Sequence, residues 1–277
     1  MGIFENCLLA CDIDGTLISG DVLPERNIQR IKYFVSEGGA FSLSTGRALE
    51  GIGAVTSKID CIAPSVLSNG CVIYDFKQQK AIEEKNLPCC TLQMARLAME
   101  QKIGFEMHSA DGIFVPSRCN ASDLHESYEN MPVQFVPFSE AVKHGINKVI
   151  YFIEHESQIE YLKKTSEKYK NDCTFYSTCA FICGEKQNYF EQLPSGVSKA
   201  QAISRLREIL NIKKGGYFAI GDYYNDLEMI KAADISAVPC ESPDDIKAAA
   251  TVTVGSAADG AVADFIDCLE EFLKNGC

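Results

Sequence analysis

The chain has 277 residues, 46% of them hydrophobic, and a formal net charge of −12. That length exceeds one ordinary domain, so two are expected, and the apolar fraction suffices for two packed cores. The negative charge argues against nucleic acid or an anionic membrane as partner, since both need a basic face, and no apolar stretch approaches the roughly 20 residues that span a bilayer.

In chain order, the apolar run Cys7-Leu8-Leu9-Ala10-Cys11 reads as a buried strand that opens into Asp12-Ile13-Asp14-Gly15-Thr16-Leu17. Two carboxylates then emerge together at a sheet edge. Burying both without a cation is costly, so the pair implies a bound metal, a raised pKa on one acid, or both. As plain turn formers, the same Asp and Gly residues would carry no chemistry. Residues 24–37 follow as a helix, with Ile28, Ile31, Phe34 and Val35 at helical spacing and Gly38-Gly39 as its stop. Phe41 to Arg47 repeats the first design, a short apolar strand ending in Thr45 beside Gly46 and Arg47. Strand and helix signals alternate to about residue 75, as in a parallel sheet built from βαβ units.

After Asp75 the pattern changes. Residues 92–101 read as a helix, 105–108 and 113–116 as a hairpin about Asp111-Gly112, and 122–129 as another helix. Residues 148–153 form a strand, 158–169 an amphipathic helix and 174–192 one or two strands, a set with its own core. Leu193-Pro194-Ser195-Gly196-Val197-Ser198-Lys199 is then a Gly/Ser loop that delivers a lysine to the start of a helix reaching Leu210. A cation there opposes the positive end of the helix dipole unless an anion lies nearby. Strand 217–220 leads into Gly221-Asp222-Tyr223-Tyr224-Asn225-Asp226, and strands 235–238 and 251–254 with helix 262–274 complete the pattern. Because the middle block separates Thr-Gly-Arg from Val-Ser-Lys, the second domain is inserted into the first. The expected core is residues 1–83 and 191–277, and the expected insert 84–190.

Thirteen cysteines are odd in number and contain no CxxC, and Cys7, Cys11, Cys71 and Cys183 sit within apolar strands. They read as small buried hydrophobes in a reducing cytosol. Adjacent Cys89-Cys90 and the loosely spaced Cys173, Cys179 and Cys183 keep a zinc reading open.

Four stretches, DxDGTL, the strand-terminal Thr-Gly-Arg, Gly-Val-Ser-Lys and GDxxND, resemble in order and residue type the four motifs of the haloacid dehalogenase superfamily of phosphotransferases. More narrowly, the chain is similar to the Cof-like subfamily with a large α/β cap, subclass IIB. Pro64 through Asn69-Gly70 before Val72-Ile73-Tyr74-Asp75, and Asp259-Gly260-Ala261-Val262, are further matches. The resemblance implies an α/β fold with a Rossmann-like parallel-sheet core and an inserted α/β cap domain. It implies a cytoplasmic, magnesium-dependent phosphatase acting on small phosphomonoesters through an aspartyl-phosphate. Sugar phosphates lead as substrates, with pyridoxal phosphate and flavin mononucleotide behind.

On that resemblance Asp12 is the nucleophile and Asp14 the general acid and base. Asp12, the backbone carbonyl of Asp14, and Asp222 are the ligands of magnesium. Thr45, Gly46, Arg47, Lys199 and Asn225 are the phosphate-binding set, and Asp226 orients its neighbours. Asp12 is expected to be held ionised by the metal and Lys199, and Asp14 to have its pKa raised by the neighbouring acid and partial burial. The short link before the first helix leaves no room for a cap, so the 84–190 block is expected to roof the site. There Asn188, Tyr189, Arg118 and His108 are candidate contacts, residue types more often found in ordinary surface or core roles. A phosphomutase, or a phosphate-ligand-binding protein without turnover, stays open as an alternative. Tyr223-Tyr224 within GDxxND and Val238-Pro239-Cys240-Glu241-Ser242, where the subfamily often carries Ala-Met-x-Asn-Ala, depart from the pattern.

Overall fold

A computed structural model describes residues 2–60, 62–119, 122–123, 132–182 and 185–275. The chain forms two units. The first comprises Met1–Gly46, Ala54–Ile82 and Ser198–Cys277, and the second Arg47–Gly53 and Glu83–Val197.

The first unit opens with β1 (Leu8–Cys11), α1 (Glu25–Ser36), β2 (Ala40–Leu43), β3 (Ser65–Leu67), β4 (Val72–Asp75) and β5 (Lys80–Glu84). All four residues of β1 are buried, which is why its sequence is uniformly apolar instead of alternating. Helix α1 starts directly after Pro24 and turns Ile28, Ile31 and Phe34 into the core. Strand β5 was not anticipated from the sequence. It is short, charged at three of its five positions and only half-buried, so no apolar run announces it.

The second unit contains α2 (Gln93–Glu100), β6 (Phe105–Ser109), β7 (Gly112–Val115), β8 (Val133–Phe135), β9 (Lys148–Ile153), α3 (Glu156–Ser166), β10 (Cys173–Ile182) and β11 (Glu185–Pro194). Its sheet runs β10-β11-β9-β6-β7-β8. All pairings are antiparallel except β7 with β8. The hairpin about Asp111-Gly112 forms, with Met107 opposite Phe114, and residues 174–192 resolve into two strands. Helix α3 begins earlier than its periodicity suggests because Gln158 Oε1 accepts from the amides of Glu154 and His155, closing the first turn. Met94, Ala98, Phe105, Met107, Tyr151, Leu162 and Phe190 build a separate apolar core. Most of the helix expected over 122–129 lies outside the described residues.

The chain then returns to the first unit as α4 (Lys199–Ile209), β12 (Tyr217–Ile220), α5 (Leu227–Ala232), β13 (Ile235–Pro239), β14 (Val252–Val254) and α6 (Ala261–Asn275). Its sheet runs β14-β13-β12-β1-β2, every pair parallel. A bridge between Ser44 and Val66 brings β3 alongside β2. This is the expected open α/β sheet, and in such a sheet ligands gather beyond the carboxyl ends of the strands. Cys11 is level with both Leu43 and Ile220, so the residues leaving β1, β2 and β12 emerge at one edge. Buried Asn27 ties that edge to the helices, its amide nitrogen donating to the Leu17 carbonyl at 3.0 Å and its oxygen accepting from the Ala263 amide at 2.9 Å. Among the described residues, no helix is long and apolar enough to cross a membrane.

Candidate active site

The loop after β1 is built by its own backbone. The Asp12 amide donates to Ile220 at 3.0 Å, and the Ile13 carbonyl accepts from Leu17 and Ile18, each at 3.0 Å. Ile13 and Leu17 are fully buried anchors, which leaves Asp12 turned inward and Asp14 exposed. The partial burial expected for Asp14 is therefore absent in this structure, because the anchors on either side of it take the interior positions. Gly15 is required twice over: its φ is +74°, and a Cβ there would stand 2.5 Å from Asp222 Oδ2.

Lys199, the first residue of α4, supplies the ion pairs. Its Nζ lies 2.7 Å from Asp12 Oδ1 and 2.7 Å from Asp226 Oδ1, with all three side chains buried. The cation at the helix start thus meets two carboxylates, which offsets its unfavourable position in the helix dipole. Asp226 Oδ2 accepts from the backbone amides of Asp222 at 3.2 Å and Tyr223 at 3.3 Å, so one acid holds both the lysine and the loop after β12. A Cβ at Gly221 would strike Asp226 Cγ at 2.5 Å, so that glycine is what allows the acid to fold back under its own loop.

Charge is unbalanced here. Three carboxylates, Asp12, Asp222 and Asp226, place oxygens within 4.8 Å of one another, against one ammonium. Burial pushes the Asp12 carboxyl well above its usual range; Lys199 opposes this, while Asp226, Asp14 and Asp222 add to it. Burial and then Asp226 push Asp222 up to about 7, again against the pull of Lys199. Burial alone would lower the Lys199 pKa, but Asp12 and Asp226 outweigh it and hold the amine charged, above its ordinary value. A divalent cation matches the two uncompensated negative charges, and an all-oxygen donor set suits a hard ion. The residues therefore fit a magnesium-type ion, with Asp226 already committed through both oxygens and Asp222 nearest the Gly15 loop.

Thr45 leaves β2 at the same edge. It is buried, its amide donates to Val66 at 2.9 Å, and its carbonyl accepts from Asn69 at 2.9 Å. Asn69 was quoted from the sequence only as part of a match. In the structure it holds the Thr45 backbone, from a backbone with φ of 56°, and its buried Oδ1 has no hydrogen-bond partner. The Asn-Gly pair was the available signal. Gly46 sits close against Asn69, whereas Arg47 belongs to the second unit, where its guanidinium donates to the Gly51 carbonyl at 2.7 Å. Asn225 lies exposed on the single turn Tyr224–Asp226. The rings of Tyr223 and Tyr224 point outward, which is how the loop accommodates their bulk.

Among the described residues, the group able to hold a metal is this carboxylate trio. Cys7, Cys11, Cys71 and Cys173 are buried, and burial pushes Cys7 up to about 11. Cys89 and Cys90 are exposed, and Cys183 lies outside the described residues.

A model of the haloacid dehalogenase-like hydrolase family matches residues 9–266. The chain belongs to that family. Among relatives of this haloacid dehalogenase-like hydrolase is the 5-amino-6-(5-phospho-D-ribitylamino)uracil phosphatase of Bacillus subtilis, 24% identical over 94% of this chain and 97% of that protein. A haloacid dehalogenase-like hydrolase from Bacteroides thetaiotaomicron shares the fold with a TM-score of 0.84 at 19% identity, covering 95% of this chain and 99% of that one. A sugar phosphatase of subclass IIB superposes with a TM-score of 0.79 at 18% identity, covering 96% of this chain and all of that one (100%). The family places this chain among hydrolytic enzymes, and its fold matches those with an additional α/β domain.

Proposed function

We propose that this hydrolase is a cytoplasmic, magnesium-dependent phosphatase of small phosphomonoesters, with sugar phosphates as the leading class. The observation that carries the reading is buried Lys199 bound to Asp12 and Asp226 beside Asp222, an anionic cluster with a deficit of positive charge at the carboxyl edge of the sheet. Phosphatase names among the relatives point the same way.

In this reading the Asp12 carboxylate attacks phosphorus in line, forming an aspartyl-phosphate as the ester P–O bond breaks. Asp14, exposed beside it, gives its proton to the departing alkoxide and later takes one from the water that hydrolyses the acyl-phosphate. Thr45, the amides of Gly46 and Arg47, Lys199 and Asn225 hold the phosphoryl oxygens, while Asp226 fixes Lys199 and the Asp222 loop. Magnesium held by Asp12, the Asp14 carbonyl and Asp222 would neutralise phosphoryl charge. The core is residues 1–83 and 191–277, and the 84–190 block is the cap that excludes water and sets specificity.

The test is turnover across a panel of phosphometabolites with and without magnesium, including the ribityl phosphate for which the Bacillus relative is named. Phosphate release that needs the metal and falls by more than about a thousandfold in Asp12→Asn is expected. Transfer of the group to a second sugar hydroxyl would instead make the chain a mutase. Tight binding of phosphoesters with no turnover would make it a sensor.

A further inference from the structure

A strand at the edge of a sheet presents a row of backbone donors and acceptors that a further strand can pair with, so natural sheets keep their edges short, charged, bulged or covered. Among the described residues, all but one of the edges in this chain are protected in that way. Strands β14 and β8 have three residues each, β5 carries Lys80, Glu83 and Glu84 among its five, and β2 and β3 are brought alongside each other by the Ser44 to Val66 bridge. Strand β10 is the exception. It is the outer strand of the second unit's sheet and ten residues long, and none of the ten is charged, proline or glycine. Its register with β11 runs one to one from Cys173 opposite Pro194 to Ile182 opposite Glu185, so no bulge interrupts it. Tyr176, Ser177 and Thr178, at its middle, are exposed.

Charge selects what can lie against this edge. The chain carries −12, yet in the stretch 167–186 the acids Glu167, Asp172 and Glu185 are balanced by Lys168, Lys170 and Lys186. A neutral edge has no pull on a strongly basic or acidic partner, whereas a second copy, repelled by like charge elsewhere, meets no net repulsion along this seam. We propose that β10 pairs antiparallel with β10 of a second copy about a twofold axis, joining the two six-stranded sheets into one. Ten residues at about 3.3 Å each give a seam about 33 Å long. Alternate residues turn their amide and carbonyl outward, which gives about ten interchain hydrogen bonds. A single seam buries less than the roughly 1,600 Å² of a standard interface, so the dimer is reversible, with a dissociation constant on the order of 10 μM.

The experiment is sedimentation velocity of the full chain in a thiol reductant, at concentrations from about a tenth to about ten times that constant. Wild type should pass from monomer to dimer over this range. Ser177 stands at the middle of β10, so antiparallel pairing brings the two copies of this residue close to the axis. Ser177→Lys and Ser177→Glu should each weaken the dimer about tenfold, because like charges then meet across the seam. An equimolar mixture of the two variants should restore it, since lysine on one copy faces glutamate on the other, and circular dichroism confirms that both are folded. A wild type that stays monomeric throughout overturns the proposal. So do dimers that survive unchanged in either variant, or a mixture that gains nothing over its components.

Discussion

Replacing Lys199 by Met tests the charge balance of the site most directly. Met fills similar volume, so the cavity contribution is small and the loss is chiefly electrostatic. Removing the ammonium leaves Asp12 and Asp226 buried and facing each other with oxygens no more than 4.8 Å apart. Two full charges at that distance repel by roughly 3.5 kcal/mol at an effective dielectric of about 20. Breaking a buried ion pair from one side commonly costs about 3–5 kcal/mol, so the two approaches agree. The variant can escape part of the cost by taking up a proton on Asp12, whose carboxyl burial already pushes well above its usual range and whose rise Lys199 no longer opposes. For such groups stability is present at low pH and is lost as pH rises through the folded pKa. The expected deficit against wild type is therefore about 3–4 kcal/mol at pH 8 and about half that near pH 5.5. Urea unfolding in chelator at both pH values measures it, followed by circular dichroism and tyrosine fluorescence, since the chain has 11 tyrosines and no tryptophan. A variant as stable as wild type at pH 8, or one whose deficit grows on acidification, refutes the account of Lys199 as the charge that holds the two acids together.

Gly15→Ala should lower phosphate release at least about tenfold, because the new Cβ would stand 2.5 Å from Asp222 Oδ2 and the backbone is held at φ +74°; initial rates with saturating magnesium give the answer, and unaltered turnover contradicts the close approach. Glu270 is held down to about 2 by hydrogen bonds from Lys274, Arg30 and Tyr33, and through the last two it ties α6 to α1. Its contribution is present above the unfolded carboxyl pKa and disappears as pH falls toward 2. Glu270→Gln should therefore cost about 1 kcal/mol at pH 7, solvent screening included, with the melting-point gap to wild type closing between pH 4.5 and pH 2.

Much of the fold could be read locally. Strands β9 and β12 have their expected limits, and α1 and α6 differ by a residue or two at their ends, because apolar runs and 3.6-residue spacing are properties of short windows. Strands β5 and β8 escaped notice because neither presents a continuous apolar face: one is charged at three of its five positions and only half-buried, the other leaves two of its three residues in solvent. At the site, residue types at strand ends were legible, but their environments were not. Asp14 follows Asp12 by two positions, yet Ile13 and Leu17 anchor the loop so that one acid is buried and the other exposed.

By itself the sequence determined which elements form and which reactive groups stand at their ends, since strand period, helix stops and glycine turns depend on neighbouring residues. Only the tertiary structure decided which charges meet. Lys199 lies 187 positions from Asp12 and 27 from Asp226, and a parallel sheet had to bring the three within 2.7 Å contacts before either acid's partner could be known. The same packing removed water from the cluster and raised Asp222 to about 7, because desolvation belongs to the assembled interior and not to any segment of chain.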